Sequence, residues 1–272
     1  MNKENMILFV SPSGNDEWSG RLPEPSRDGC DGPFATLERA RDEIRRIKAF
    51  GLPQGGVTVL VRGGTYFLEK PFQLLPQDSG TAESPITYMG YKEEQVRLVG
   101  GVRVPASMFK PYRDGIYQCD LKPFGLKRFR QLFFNGKRMI LARYPNYDPS
   151  DPIRGGWLYV ADAVQHDRKR SFRYPGDRPR RWTHPEDCEI SIFPNYNWWH
   201  TVAEVAKIDI ENRVVTLKEE LPYTIEPGRR FYFQNVLEEL DAPGEWFFDR
   251  RTGILYFYPP EPLSQGEVIV PR

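Results

Sequence analysis

The sequence is poor in cysteine and histidine, with three residues of each among 272. Cys30, Cys119 and Cys188 are far apart, odd in number and without metal-ligand spacing, so we expect no disulfide framework. The histidines also lack the spacing of a zinc site, and no glycine-rich phosphate or dinucleotide pattern occurs. The sequence therefore predicts no metal and no other cofactor.

The sequence also lacks a charge excess and a long apolar run. Lys and Arg total 38 against 37 Asp and Glu, a net charge of +1, whereas nucleic-acid-binding domains usually carry a large basic excess. No apolar run approaches the ~20 residues that span a bilayer, and the start, MNKENMILFV, lacks the apolar core of a signal peptide. We expect no nucleic-acid or membrane partner and a cytoplasmic location, or a secreted one if the chain was cut from a longer secreted protein.

What the sequence has is enough apolar residues, 39% of the total, for one large all-β domain or two smaller ones. It contains one clear amphipathic helix, in which Thr36 is placed as N-cap, Gly51 as a C-terminal glycine and Pro53 as a stop. Apolar residues recur three and four apart on one face of this helix: Leu37, Ala40, Ile44 and Ile47.

Four short apolar runs follow the helix: Thr58–Val61, Phe72–Leu75, Ile86–Met89 and Arg97–Gly100. The first and third start 28 residues apart and the second and fourth 25 apart. Two interleaved strand series with a period near 25 are typical of two coils of a β-solenoid. A terminal coil has an apolar end that must be covered, and the helix would cover it. The alternative is an α/β unit in which the helix covers one sheet face.

From Val102 onward the pattern is antiparallel. Asn135-Gly136 between apolar strands favours a type I′ hairpin turn, a second hairpin turns near Glu211–Arg213, and Gly253 ends the turn of a third. The predicted fold class is mainly all-β: a capping helix and the start of a right-handed parallel β-helix over residues 1–101, then an antiparallel β-sandwich-like domain over 102–262. Residues 263–272 would supply a strand that returns to the β-helix.

The segment FPNYNWWHTVAEV holds the main candidate binding residues, Tyr196, Trp198, Trp199 and His200. Exposed aromatic faces stack on the C–H-rich faces of sugar rings, and nearby polar groups then select hydroxyls. The alternative is that the tryptophans belong to the core. Because adjacent residues on a strand point to opposite faces, only one of them would then be fully buried. His200 alone is more typical of a structural histidine.

Arg143 and Tyr144, within ARYPN, are a second pair of candidate residues. An arginine at this position could hold a carboxylate or a pair of sugar hydroxyls through its planar fork. It could equally brace the junction between solenoid and sandwich. The sequence does not decide between the two.

The segment HDRKRSFRYPGDRPRRW holds seven Lys or Arg and two Asp. Its default interpretation is a solvated loop. The alternative is a site for acidic polysaccharide that includes Arg168, Lys169 and Arg170. Acidic residues beside predicted turns are commonplace, and we interpret Asp209, Glu211 and Asp249 as turn residues.

Five segments together resemble a known group of enzymes. FVSPSGNDEWSG, DGPFATLERARDEIR and VRGGTYFLEKPFQLLPQDSGTAESPITYMGY resemble the opening of right-handed parallel β-helix proteins that act on polysaccharides. LFFNGKRMILARYPN and EWFFDRRTGILYFYPP resemble the β-sandwich inserted after the first coils in glycoside hydrolases of that fold, of the β-xylosidase and fucosidase–xylanase types. The resemblance runs through nearly the whole chain, with its segments in the expected order.

The resemblance implies a non-catalytic role. In such enzymes the catalytic carboxylates lie on later coils, and no position here corresponds to them, so no catalytic residue is assigned. The implied function is the N-terminal portion of a carbohydrate-active enzyme on plant cell-wall polysaccharide, capping the solenoid and shaping a sugar cleft. Its expected partners are a polysaccharide or oligosaccharide and a separate chain or downstream segment with the catalytic coils. A free carbohydrate-binding module, a structural β-solenoid and part of a polysaccharide lyase remain alternatives.

Overall fold

The computed structural model describes residues 5–272, which are mainly β. The chain divides into two compact units, Met1–Val102 and Arg103–Arg272. The first unit contains one α-helix and five strands: β1 (Met6–Val10), α1 (Leu37–Lys48), β2 (Val57–Val61), β3 (Gly64–Phe67), β4 (Ile86–Gly90) and β5 (Val96–Val99). A short 3-10 helix, Pro76–Asp78, lies between β3 and β4.

Two separate parallel ladders build the first unit. β1, β2 and β4 pair in that order, with Met6 opposite Val57 and Val57 opposite Ile86. β3 and β5 form the second ladder, in which Gly64 lies opposite Val96. Parallel neighbours need crossover connections, and α1 lies within the connection between β1 and β2.

The strand expected at Phe72–Leu75 is a wrong prediction, because the strand before β4 is β3. Tyr66 of β3 is buried, and its hydroxyl donates to the carbonyl oxygens of Val10 at 3.1 Å and Arg62 at 2.8 Å. Leu74 and Leu75 are instead exposed. They lie between two prolines, which cannot donate ladder hydrogen bonds.

Helix α1 begins where the sequence predicts. The Thr36 hydroxyl accepts a hydrogen bond from the Arg39 N–H at 3.1 Å, which satisfies one of the four unpaired donors of the first turn. The Asp16 carboxylate in turn accepts from the Thr36 N–H and hydroxyl, at 2.9 and 2.8 Å. The helix packs against β1. Its buried apolar face, Leu37, Ala40 and Ile44, shares a core with Leu8, Val10, Phe34, Val57, Val59, Val61 and Tyr66.

The second unit contains most of the strands. They are β6 (Gly101–Val104), β7 (Lys110–Arg113), β8 (Ile116–Asp120), β9 (Phe133–Phe134), β10 (Lys137–Arg138), β11 (Ile140–Leu141), β12 (Arg143–Tyr144), β13 (Leu158–Tyr159), β14 (Asp162–Ala163), β15 (Ser171–Arg173), β16 (Glu189–Ile192), β17 (Thr201–Asp209), β18 (Val214–Leu217), β19 (Arg230–Gln234), β20 (Glu245–Asp249), β21 (Ile254–Phe257) and β22 (Val268–Pro271). Short 3-10 helices lie at Ala106–Met108, Lys122–Phe124, Arg178–Arg181, Pro185–Asp187, Leu237–Glu239 and Leu263–Gln265.

These strands form three sheets. The largest has the order β12-β19-β16-β17-β18-β15-β14, with β13 also on β19. A five-stranded sheet has the order β11-β20-β21-β8-β7, and a four-stranded one the order β10-β9-β22-β6. The last strand, β22, which the sequence assigned to the solenoid, pairs antiparallel with β9.

The three predicted hairpins are confirmed. Asn135 and Gly136 both have positive φ, 51° and 73°, as a type I′ turn requires. β17 and β18 pair across a turn in which Arg213 has φ 55°. β20 and β21 pair across a turn ending at Gly253, whose φ is 73°.

The largest sheet separates a core face from a polar face. Ile190 and Ile192 of β16 and Phe231 and Phe233 of β19 are fully buried in the core of this unit. The alternate residues point the other way: Glu189, Ser191, Tyr232 and Gln234, which face one another in pairs across β16 and β19. The polar face of this sheet carries the candidate site.

Two further structural findings concern the exposure of the cysteines and the membrane-spanning capacity of the helices. Cys30 is exposed, whereas Cys119 and Cys188 are buried. Within residues 5–272, no helix has the length and apolar character needed to cross a membrane.

Candidate functional site

Three exposed aromatic rings lie in the turn between β16 and β17, and the half-buried Tyr223, from the loop between β18 and β19, packs against them. The rings of Tyr196 and Trp198 stack with centroids 5.1 Å apart and planes 19° apart. Tyr223 packs edge-on against Tyr196 and Trp199, at 5.2 Å from each. We call Tyr196, Trp198, Trp199 and Tyr223 the aromatic cluster; the sequence predicted its first three members but not Tyr223, which is distant in sequence.

The two tryptophans are not core residues. Trp198 is 70% exposed, Tyr196 44% and Trp199 36%. Strand alternation does not decide their orientation, because both tryptophans precede β17, which begins at Thr201. Large exposed aromatic faces that are held rigid by ring contacts suit ligands with an apolar face and polar edges.

His200 is adjacent to the aromatic cluster and has a fixed ring. Its Nε2 lies 2.7 Å from the Ser191 hydroxyl, and its ring lies 5.0 Å from that of Phe193. Desolvation of the ring by its neighbours, and secondarily the positive charge of Arg230, lower the pKa of His200 below its usual range, although part of the residue is exposed. The ring is therefore neutral near neutral pH, and it serves as a hydrogen-bonding group rather than as a cation.

Arg143 and Tyr144 occupy opposite faces of the sheet. Tyr144 packs against the buried core and beneath the Arg178 guanidinium, 5.1 Å from the ring centroid. Arg143 points to the polar face, where its guanidinium lies 3.5 Å from the centroid of the Tyr232 ring. Two adjacent residues named together from the sequence therefore have different environments, and only Arg143 lies at the candidate site.

Arg143 braces a loop of the second unit. Its Nε donates to the Pro145 carbonyl oxygen at 2.9 Å, and its Nη2 donates to the carbonyl oxygen of Gly156. Only 7% of the residue is exposed, and burial lowers the pKa of its guanidinium. The Arg143 side chain, which holds the Pro145–Gly156 loop in place, also lines a cavity.

This cavity, with a volume of about 320 Å³, brings Arg143 and His200 together. We call it the basic cavity. Its floor is the polar face of the sheet, and the segment from Arg138 to Leu141 and the Tyr147 side chain add to its walls. Its lining residues are Arg130, Arg138, Met139, Ile140, Leu141, Arg143, Tyr147, His200, Val202, Tyr232 and Gln234.

A continuous set of ring contacts connects the two candidate residues. The Trp157 ring lies 5.0 Å from Tyr232, which stacks on Arg143, and 5.8 Å from Phe193, which contacts His200. Neither Trp157 nor Tyr232 was predicted from the sequence. A signal was present in RFYFQ, where two phenylalanines of the core alternate with Tyr232 and Gln234.

Comparison with known proteins gives one informative result. No protein-family model and no curated protein matches the chain. A solved structure does match. The chain resembles a glycoside hydrolase. The TM-score is 0.77 and 26% of residues are identical, over 98% of this chain and 46% of the protein named glycoside hydrolase. The fold is therefore glycoside hydrolase-like, and the chain spans less than half of that protein's length.

Glycoside hydrolases generally use two carboxylates, one with a raised pKa as the general acid. Glu189 and Glu204 lie opposite each other on β16 and β17 and share Arg128, whose Nη2 is 3.7 and 2.6 Å from them. Hydrogen bonds from Lys218, followed by the charge of Arg128, lower the pKa of Glu204. A lowered pKa does not suit Glu204 as a general acid. Ion pairs with Arg128, Arg130, Arg250 and Lys218 place both carboxylates in one network.

Glu189 is the buried centre of that network. Its carboxylate accepts hydrogen bonds from Arg250 at 2.5 Å and from the Gln234 amide at 2.9 Å. Arg130, at 3.5 Å, is a more distant partner. The network fixes Gln234 at the floor of the basic cavity.

The three acidic residues beside predicted turns have structural contacts. Asp209 accepts hydrogen bonds from the N–H and side-chain amide of Asn212, at 3.0 and 2.9 Å. Glu211 pairs with Arg180 at 2.8 Å, and Asp249 accepts from the Arg251 N–H at 2.9 Å. In the described part of the chain, no group of three His, Cys, Asp or Glu side chains is placed to hold a metal ion.

The basic segment 166–182 uses its charges internally. Arg168 pairs with Glu226 at 2.6 Å, and Arg178 with Glu239 at 2.7 Å. Arg170 donates to the carbonyl oxygen of Leu217 at 3.1 Å. These contacts join residues on both sides of β15 to Glu226, to Glu239 and to strand β18, so the segment is not a simple solvated loop.

Proposed function

We propose that this chain is the N-terminal, non-catalytic portion of a carbohydrate-active enzyme of the glycoside hydrolase kind, acting on plant cell-wall polysaccharide. In this proposal the first unit begins a right-handed parallel β-helix, and the second unit presents a sugar-binding surface. The observation that carries the proposal is the match to a glycoside hydrolase over 98% of this chain but 46% of the other.

In the first unit, the two edges of the β1-β2-β4 sheet differ, and this difference supports the proposal. The outer edge of β1 is covered by the loop before α1: the Phe9 N–H donates to the Gly20 carbonyl oxygen at 2.7 Å, and the Phe34 N–H to the Phe9 carbonyl oxygen at 2.9 Å. At the other edge, the sheet ends at β4. An exposed strand edge is a template for another strand, and a further coil would use it.

The side chains at the β4 and β5 end agree with this interpretation. Met89 of β4 and Leu98 of β5 are both more than half exposed. Exposed apolar side chains on a final coil are what a following coil would cover. The loop and helix at β1 would then be the cap, and β4 and β5 the surface on which the solenoid continues.

The second unit supports sugar binding through the aromatic cluster. Its rings are exposed, rigidly packed against one another and adjacent to the polar groups of the basic cavity through His200. Such a combination of apolar platform and polar groups is typical of ligand sites. Carbohydrate is the ligand class that the glycoside hydrolase-like fold favours.

A Trp198→Ala variant tests the sugar-binding surface. We expect the protein to bind plant cell-wall oligosaccharides on a glycan array. The variant should bind them at least about fivefold more weakly, since truncation of an aromatic anchor commonly costs more than ~1 kcal/mol. Phe50→Ala is the matched control, because Phe50 is 88% exposed but lies in the first unit. Equal binding by the Trp198 variant, or no binding by the parent protein, would contradict the proposal.

The non-catalytic role has its own test. We expect no release of reducing sugar when the purified 272-residue protein is incubated with xylan or pectin, and measurable hydrolysis would contradict this role. Products with unsaturated ends would favour a polysaccharide lyase instead. Trimers without any glycan affinity would favour a structural β-solenoid.

A further inference from the structure

The basic cavity has an unbalanced charge. Three arginines line it, Arg130, Arg138 and Arg143, and its lining contains no Asp or Glu among the residues that the structure describes. The whole chain carries a net charge of only +1, so this concentration of positive charge is local. A concave surface lined by one sign of charge raises the local concentration of ligands of the opposite sign.

The three arginines are also weakly neutralised by their surroundings. Arg138 is exposed and forms no ion pair within residues 5–272. Arg130 lies 3.5 Å from a Glu189 oxygen that Arg250 already contacts at 2.5 Å. Arg128, Arg130 and Arg250 therefore share this one carboxylate, which cannot neutralise all three.

Arg143 is the arginine of the basic cavity whose surroundings most favour a bound anion. It is 7% exposed, and within the described chain it contacts carbonyl oxygens and aromatic faces but no carboxylate. Of the acidic groups, the buried Glu245 acts on it electrostatically, and burial raises the pKa of Glu245 to about 7, so only part of this carboxyl is ionised near neutral pH. A buried charge that is incompletely offset is costly. Its guanidinium is also held in place by two backbone acceptors and the Tyr232 ring, so it requires little reorganisation to bind an anion.

We propose that the basic cavity binds the carboxylate of a uronic acid residue in an acidic glycan. The exposed guanidinium fork of Arg138 matches a planar carboxylate. Arg143, whose Nε and Nη2 are held by backbone oxygens, adds positive charge, and Tyr147 and His200 offer hydrogen bonds to hydroxyls. The cavity volume of about 320 Å³ falls within the range of small-molecule sites, roughly 300–1,000 Å³. This inference rests on the proposed function and adds the substrate class: the aromatic cluster holds a sugar ring, and the arginines select a charged one.

The structure favours this cavity over the basic segment 166–182 as the acidic-sugar site. In that segment Arg168, Arg170 and Arg178 are engaged by Glu226, Leu217 and Glu239. Lys169 is exposed there. It offers a control position at which one positive charge can be removed outside the cavity.

The test compares acidic and neutral forms of the same glycan by isothermal titration calorimetry. The ligands are a glucuronic acid-substituted xylo-oligosaccharide, a trigalacturonate and the carboxyl-reduced neutral form of each. The parent protein should bind at least one acidic form about tenfold more tightly than its neutral form, or ~1.4 kcal/mol, and added salt should reduce the difference. Arg138→Gln should lose most of this preference, whereas Lys169→Gln should retain it.

The two arginine variants differ in their expected effect on the fold. Arg138 is exposed and its replacement should leave the fold intact, whereas Arg143→Gln removes the brace of the Pro145–Gly156 loop and is a secondary test. Equal affinity for the acidic and neutral forms, or an equal loss in Arg138→Gln and Lys169→Gln, overturns the uronate proposal while leaving sugar binding in place. Absence of binding to every form overturns the sugar-binding surface itself.

Discussion

Arg143 and Tyr144 show what a single sequence can indicate about individual residues. Strand alternation separates the two side chains, but the sequence does not say which of them faces the core. That choice depends on Phe233 and Gln234, which pair with Tyr144 and Arg143 from a strand about ninety residues away. The bracing contact to Gly156 is likewise non-local. The residue types were predictable, and their environments were not.

Glu245 is another residue whose state is set by its environment. It is 2% exposed, and its Oε2 accepts the N–H groups of Asp241 and Ala242 at 3.2 and 3.1 Å. Burial raises the pKa of Glu245 to about 7, although both backbone N–H groups act in the opposite direction. Desolvation of the charged form outweighs the two hydrogen bonds.

This raised pKa predicts a pH-dependent stability. The unfolded carboxyl ionises near its ordinary value of 4.5 and the folded one near 7, so the folded state holds an extra proton between these values. The free energy of unfolding therefore falls as the pH rises from about 4.5 to about 7, by on the order of 3 kcal/mol for this group. Urea titrations at pH 5 and pH 8 should show a smaller fall for Glu245→Gln than for the parent.

Glu219→Gln is the matched control, because Glu219 is exposed. It should reproduce the pH dependence of the parent protein. If Glu245→Gln also reproduces it, Glu245 titrates normally in the folded state and the assigned burial effect is wrong.

At the scale of secondary-structure elements, local signals were more reliable than periodic ones. The Asn135-Gly136 turn and the N-cap Thr36 act within a few residues, so the sequence identifies them directly. The interleaved strand series depends on contacts between strands far apart, and one of its members, Phe72–Leu75, was misplaced. The sequence alone cannot distinguish a run of apolar residues between two prolines from a strand, because it does not identify the strand that would pair with it.

Hydrogen exchange tests the proposed difference between the two edges of the first sheet. β2 has ladder partners on both sides, and the outer edge of β1 is covered by the loop before α1. We expect amides of β4 to exchange roughly tenfold or more faster than those of β2, because local opening governs exchange. β1 should resemble β2. Equal protection of β4 and β2 would mean that the β4 edge is already covered in this protein.

At the scale of the whole molecule, the sequence predicted a mainly β chain with a β-helix start over residues 1–101, a sandwich-like domain over 102–262 and a returning strand over 263–272. The structure divides it at Val102, next to the position where the pattern changes from parallel to antiparallel. The candidate site was predicted in part: Tyr196, Trp198 and Trp199 do lie together, and His200 and Arg143 line one cavity. Arg130, Arg138 and Tyr232 were missed because only the folded sheets bring them to that cavity.

The central claim is that the aromatic cluster of the second unit binds carbohydrate, and tryptophan is a suitable reporter for it. The chain has six tryptophans. Trp198 and Trp199 belong to the cluster, Trp157 contacts Tyr232 of the basic cavity, Trp182 and Trp246 are buried, and Trp18 lies in the first unit. Fluorine NMR of protein labelled with 5-fluorotryptophan therefore gives one signal for each tryptophan. Single tryptophan substitutions assign these signals.

The measurement is a titration of this labelled protein with neutral and acidic cell-wall oligosaccharides. We expect the Trp198 and Trp199 signals to shift with increasing ligand while those of Trp182, Trp246 and Trp18 remain in place. Signals that all stay unchanged at saturating oligosaccharide, or a shift confined to Trp18, would contradict the central claim.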